Sequence, residues 1–340
     1  MTDATAPVSR RGWWWLGWAV LVWVAAAELP VVQTLLPVHR PLMLLLPSLA
    51  ACALVAWWRG GSAVLMVFAL AAATVSIWSV VRLGVSADVL TAAWCLVTTG
   101  CFALALLAAR SRSFLGRGVV AVLGAVLVSA ALIVATPAGP AGFSRIVRSA
   151  LEERGTTDMN SWRLARSQMS QSNSAGADSA TAAVLDQFEG SVASLPETAR
   201  VVLPSMLALQ TLAGLAIAWA LFHRFSRTRL GLDLAPLRDF RFNDHWIWLV
   251  IVGLVLTLMP ALEALRPFGV NLLVFFGALY ALRGAAVLAW FLRPGRSLLG
   301  LLVGAALLLL LRDGAAIALG LVGLGDTWAD WRRRIRPAVS

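Results

Sequence analysis

The chain has 340 residues, of which 60% are hydrophobic and 13% charged, and its mean hydropathy of +0.81 excludes an ordinary soluble domain. The net charge of +11 comes from arginine alone, because the sequence contains no lysine. Those arginines gather at the ends of apolar runs, where they orient helices, and not on a polar face suited to nucleic acid.

A membrane-crossing helix needs ~20 mainly apolar residues. In chain order the runs that meet or approach this length are 13–36, 41–58, 63–81, 85–109, 116–135, 201–222, 246–264, 270–292 and 298–324. The first contains Glu28 and Pro30 and is preceded by Ser9-Arg10-Arg11-Gly12-Trp13. That stretch resembles a twin-arginine export signal, with Ala25-Ala26-Ala27 as a weak cleavage site, but a positive anchor on the first of many helices accounts for it better. The second run contains Pro47, and Arg59-Gly60-Gly61 predicts a tight hairpin between it and the third. The last carries Arg312-Asp313-Gly314 at its centre, which leaves halves of ~14 and ~11 residues, each too short to cross alone. A broken or re-entrant helix there returns the basic tail, Trp331-Arg332-Arg333-Arg334, to the side of the N-terminus, provided its irregular backbone is buried in protein.

Between the fifth and sixth runs lies the only extended polar region, 136–200. Phe143, Ile146, Val147, Ala150 and Leu151 recur at helical spacing, as do Val184, Leu185, Phe188, Val192 and Leu195, with a mobile linker expected from Ser167 to Asp178. The fold class is therefore all-α: a polytopic transmembrane helical bundle of eight or nine spans with a two-helix amphipathic extracytoplasmic insert. Its parts are an N-terminal bundle over 1–135, the insert over 136–200, and a C-terminal bundle with a basic tail over 201–340.

Arginine placement gives the orientation. With the N-terminus cytoplasmic, inside segments hold Arg10, Arg11, Arg59, Arg110, Arg112, Arg117, Arg224, Arg227, Arg229, Arg238, Arg241, Arg293 and Arg296, whereas short outside loops hold Arg40, Arg82 and Arg266. Trp13, Trp14, Trp15, Trp57, Trp58, Trp219, Trp246, Trp248 and Trp290 fall near the same interface as an aromatic belt. The expected location is the bacterial cytoplasmic (inner) membrane.

Arg283 lies inside the apolar run 270–292, and a permanently charged guanidinium at that depth needs a buried partner or a watery cavity. Gly277, Ala281, Ala285 and Ala289 form a stripe that another helix can approach closely, and Arg283 lies off that stripe. The acids within reach of the apolar runs are Glu28, Glu263 and Asp313. The candidate intramembrane polar site is therefore Arg283, Glu28, Asp313 and Arg312, with Asn271 and Tyr280 on the helix of Arg283. It either fixes helix register as a buried ion pair or serves a substrate.

Asp313-Gly314 with Asp326 and Asp330 resembles the signature of CDP-alcohol phosphotransferases, but the interval is too short and the leading aspartate is missing. Asp326 and Asp330 then serve to balance Arg332, Arg333 and Arg334. Cys52, Cys95 and Cys101 sit in apolar runs as packing residues, and His39, His223 and His245 are scattered, so neither metal nor cofactor is expected. No nucleophile elbow, zinc helix or phosphate loop occurs, and no enzymatic activity is expected.

Leu203-Pro204-Ser205-Met206-Leu207, then Phe240-Arg241-Phe242-Asn243-Asp244-His245-Trp246, then Asn271-Leu272-Leu273-Val274 running on to Tyr280-Ala281-Leu282-Arg283-Gly284, and finally Gly325-Asp326-Thr327-Trp328-Ala329-Asp330-Trp331 follow one another in order. In this the chain resembles the YybS-like family of uncharacterised bacterial polytopic membrane proteins. The resemblance implies remote similarity to the substrate-binding subunits of energy-coupling-factor vitamin transporters, and hence a transport-related subunit whose partners are the lipid bilayer, other membrane subunits and a small-molecule ligand. The alternatives are a non-catalytic envelope or assembly protein that binds a partner through residues 140–198, and a membrane enzyme acting on a lipid-linked substrate.

Overall fold

A computed structural model describes residues 41–83, 86–108, 113–137, 141–150, 179–291 and 314–330, together with isolated positions between 139 and 167. Helices account for the regular structure, and there is no strand among the described residues. We number them α1 (Pro41–Trp58), α2 (Ala63–Leu83), α3 (Ser86–Ala108), α4 (Phe114–Ala135), α5 (Ser179–Phe225), α6 (Ile247–Leu258), α7 (Arg266–Phe291) and α8 (Ala315–Ala329). Among the described residues five helices are long and apolar enough to cross a membrane, while α1, α6 and α8 are apolar but shorter. The first expected run, 13–36, and with it Glu28, lies outside the described residues, as do Arg312 and Asp313.

The chain divides into two compact units. Unit one comprises residues 1–199 and 209–234. Within it α1 and α2 form the hairpin that Arg59-Gly60-Gly61 predicts. Gly60 takes a left-handed φ of +86°, its N–H bonds the Trp57 carbonyl at 2.9 Å, and the Gly61 N–H bonds the Ala56 carbonyl at 2.9 Å. This double closure satisfies the last carbonyls of α1 and needs a residue without a Cβ at its centre. Pro47 is carried inside α1, where the neighbouring Ser48 hydroxyl bonds back to the Leu44 carbonyl at 2.5 Å. The core of this unit is built from Met43, Cys52, Phe102, Leu106, Leu215, Trp219 and Phe222, all essentially inaccessible.

The insert departs from expectation in one respect. Residues 141–150 are helical, with Phe143 and Val147 half-buried and Arg145, Ile146 and Arg148 exposed. The second expected amphipathic helix is not a separate element, because residues 179–200 run without a break into the span as the 47-residue α5. Most of the expected linker lies outside the described residues.

Unit two comprises residues 200–208 and 235–340. The expected run 246–264 splits here. α6 ends at Leu258, because Pro260 drives Met259 to extended angles (φ −78°, ψ 116°), and Pro260–Leu265 continues as a 3-10 turn. α6 and α7 then pack as an antiparallel hairpin at Gly253 and Gly269, where a Cβ on Gly269 would lie 2.9 Å from the Gly253 carbonyl oxygen. α8 begins at Ala315 with Gly314 as its N-cap, and the part of the expected run 298–324 before Gly314 lies outside the described residues.

Candidate functional site

The polar centre of unit two is assembled on α7. Arg283 lies eight residues before the end of that helix, roughly 12 Å along the axis at ~1.5 Å per residue. Its side chain is 1% exposed. The Nε donates to Asp326 Oδ2 at 3.0 Å, Nη1 donates to Asp244 Oδ1 at 2.6 Å, and Nη2 reaches the Asp326 carbonyl at 3.4 Å. Asp326 stands in the last turn of α8 and is 0% exposed, whereas Asp244, on the turn that opens α6, is 59% exposed. The cation thus faces the negative end of the α8 dipole, and Asp244 precedes α6 at that helix's positive end. Two opposite charges and three donors in use are what a buried guanidinium requires.

The sequence singles out the cation, but among the described residues the carboxylates that meet Arg283 are Asp244 and Asp326 and not the expected Glu263, while Glu28 and Asp313 lie outside the described residues. An apolar run that ends at residue 324 leaves Asp326 outside it, whereas α8 extends to Ala329. An aspartate inside an apolar helix demands a cation as strongly as an arginine demands an acid, and that signal was available. Asp330 caps α8 in a left-handed conformation (φ 41°) and pairs with Arg241, and the basic tail expected to balance it lies outside the described residues.

The segment from Phe240 to Trp246 lies over this pair. The Phe242 ring is 5.5 Å from the Arg283 guanidinium, stacks on Trp246 at 5.2 Å and meets the Tyr280 ring edge-on at 5.0 Å. Trp246 in turn packs on Phe276 at 5.9 Å. Asn243 accepts from the His245 N–H at 3.1 Å and holds the turn. Aromatic faces against the cation supply part of the solvation that water would give.

Beneath this cluster α7 and α8 cross at glycines. A Cβ on Gly284 would collide with the Leu319 carbonyl, and one on Gly323 with the Tyr280 carbonyl. Of the expected stripe through Gly277, Ala281, Ala285 and Ala289, Gly277 lies against this crossing, its carbonyl oxygen 3.9 Å from where a Cβ on Gly320 would stand. The contact face runs through Tyr280 and Gly284, and Arg283 sits beside it. Asn271 has a different task. Its Nδ2 donates to the Val201 carbonyl at 2.6 Å and to the Pro267 carbonyl at 2.8 Å, while its Oδ1 accepts the Ser205 N–H at 2.9 Å. Pro204 has no N–H to give to α5, and a neighbouring amide steps in beside it.

Unit one holds a second buried cation, at Arg117. Expected at the cytoplasmic end of the run 116–135, it lies within the first turn of α4, is 1% exposed, donates to the Leu230 carbonyl at 2.9 Å and lies 5.5 Å from the Trp219 ring. Trp219, expected in the aromatic belt, is wholly buried and donates from Nε1 to the Leu232 carbonyl at 3.1 Å. Among the described residues no three His, Cys, Asp or Glu side chains gather as a metal set, and Asp326 and Asp330 each accept from an arginine.

Residues 19–327 match the family described as predicted membrane protein (DUF2232). The chain belongs to the DUF2232 family. Membership spans nearly all the elements above, including both clusters, and carries no assigned activity. Searches of the curated proteins and of the solved structures match nothing.

Proposed function

We propose that this DUF2232 chain is a non-enzymatic, transport-related subunit, a substrate-binding or permease-like component of the bacterial inner membrane. In this reading it has eight or nine spans and its N-terminus in the cytoplasm. The observation that supports it most is the inequality of Arg283's two counter-ions. Asp326 is sealed and permanent, while Asp244 is largely exposed on a short turn. A small anionic ligand can take the place of Asp244 on Nη1 without stripping the guanidinium of its charge balance. The YybS-like resemblance, with its link to vitamin-binding transport subunits, points the same way. Other membrane subunits would then supply the coupling.

The test is thiol accessibility. On a background with Cys52, Cys95 and Cys101 replaced, Arg283→Cys is combined with Asp326→Asn so that no buried carboxylate is left alone, Asp244 being exposed. Reaction of the folded protein with a small polar thiol reagent supports a site that opens to water. Complete protection of a folded protein removes the transport reading.

The second reading, an assembly protein acting through residues 140–198, is favoured by α5. A 47-residue helix is roughly 70 Å long at ~1.5 Å per residue, more than twice the ~30 Å of a bilayer core. Its N-terminal half is a stalk beyond the span. Loss of partner capture on deleting 140–198, with Arg283 protected, would select this reading.

A further inference from the structure

We infer that unit one carries a binding site for an anionic phospholipid headgroup, formed where the α1–α2 hairpin, the start of α4 and the loop after α5 meet. The inference is independent of what Arg283 does, since every residue in it belongs to unit one.

The loop over 226–234 is fixed and not free. Leu230 donates its N–H to His223 Nε2 at 3.4 Å and accepts from Arg117 at 2.9 Å, and the Leu232 carbonyl accepts from Trp219 at 3.1 Å. Gly231 permits this approach, because a Cβ there would lie 2.8 Å from Arg117 Nη1. The same loop abuts the hairpin: a Cβ on Gly61 would lie 3.0 Å from Thr228 Oγ1. Arg59, at the hairpin's tip, donates one Nη to the Leu106 carbonyl at 2.7 Å and lies within electrostatic reach of Arg117. Three separate segments therefore bring Arg59, Arg117, Arg224, Arg227 and Arg229 to one end of the unit. The acid on these segments is Asp233, and it is taken by Arg229 at 2.7 Å.

Such an excess of positive charge calls for an anion, and the depth of the cluster says which kind. Trp58 is 77% exposed and Trp57 is exposed beside it, immediately before Arg59. Exposed tryptophans at the end of an apolar helix mark the headgroup layer of a bilayer, so the arginines stand at the level of lipid phosphates. Arg227 is exposed and Arg59 half-exposed, which leaves guanidinium donors for a phosphodiester. Arg117, behind them, adds fixed charge from within the fold. A zwitterionic headgroup brings its own cation and gains less here.

The test uses the full chain purified in detergent and titrated with phosphatidylglycerol or with phosphatidylcholine of the same acyl chains, bound lipid being counted by native mass spectrometry. Retention of phosphatidylglycerol over phosphatidylcholine is expected, falling about fivefold for each of Arg59→Gln and Arg227→Gln, as ~1 kcal/mol per arginine near an anionic surface implies. Arg238→Gln, in unit two, should leave retention unchanged. Unfolding temperatures confirm that each variant is folded, and Arg227→Gln, at an exposed position, serves if Arg59→Gln is unstable. Equal retention of the two lipids, or no loss in a folded Arg227→Gln variant, overturns the inference. Displacement of the bound lipid by inorganic phosphate alone would reassign the site to a soluble anion and overturn it as well.

Discussion

At the level of single residues, Arg283 and its two aspartates separate burial from exposure. Removing the charge of Asp326 leaves a guanidinium deep in the fold without its sealed partner, and loss of one member of such a pair costs roughly 3–5 kcal/mol. Asp244 is largely exposed, and its pairing should be worth about 1 kcal/mol or less. Asp326→Asn should therefore lower the unfolding midpoint in detergent far more than Asp244→Asn does. The double substitution Arg283→Leu with Asp326→Leu should recover much of the loss, because an apolar pair carries no desolvation cost. Equal losses for the two aspartate variants would show that Asp244 is as much a structural partner as Asp326, and the exchangeable counter-ion would go with it. Asn271 makes a parallel case. Asn271→Leu leaves the Val201 carbonyl and the Ser205 N–H without this partner beside Pro204, at roughly 1–3 kcal/mol for an unsatisfied group. Asn271→Gln, which is longer by one methylene, should not restore the fit, and thermal unfolding of the two variants checks both statements.

Between elements, the α7–α8 crossing decides what the polar cluster can be, because a close backbone approach places Arg283 within reach of Asp326. Gly284→Ala and Gly323→Ala each force a methyl into a carbonyl of the other helix, and should destabilise by roughly 1–3 kcal/mol or more. Gly277→Ala, with open space around its Cβ, should be neutral or gain up to about 1 kcal/mol from helix propensity. Unfolding midpoints of the three variants provide the comparison. The contrast also explains what the sequence could disclose. Hydropathy located α1, α2, α3 and α4 to within two residues at each end, since lipid contact makes every face of such a helix apolar. It ran α6 too long, because Leu262 and Ala264 remain apolar after Pro260 has ended the helix. Spacing marks the small-residue stripe on α7 from Gly277 onward, but only the partner helix shows that Gly284 is where the two backbones come closest. The hairpin at Gly60 was legible, as Gly-Gly at a helix end has one good use. The acids on Arg283 were not, because they lie 39 and 43 residues from it in sequence and pairing at that range is set by tertiary packing.

For the molecule as a whole, charge gives an expectation for the membrane face that the basic end of unit one meets. Arg59, Arg117, Arg224, Arg227 and Arg229 converge at one end of unit one, so turning that end outward would carry the most basic part of the unit across the bilayer. Reversing one helix cannot relieve the conflict, since the three segments that hold these residues are tied together by the Leu230 and Thr228 contacts. Orientation is thus a property of the whole unit. On a background lacking Cys52, Cys95 and Cys101, Asn160→Cys should react with a membrane-impermeant thiol reagent in intact cells, and Arg227→Cys only after permeabilisation. Ala338→Cys should behave like Arg227→Cys if the expected break at Arg312-Asp313-Gly314 holds, because α8, at 15 residues, is too short to carry the tail across alone. Reaction of Ala338→Cys in intact cells alongside Asn160→Cys would mean that the chain does cross once more before its basic tail. In that case the charge of Arg332, Arg333 and Arg334 would be held outside against the rule that orients the rest of the chain.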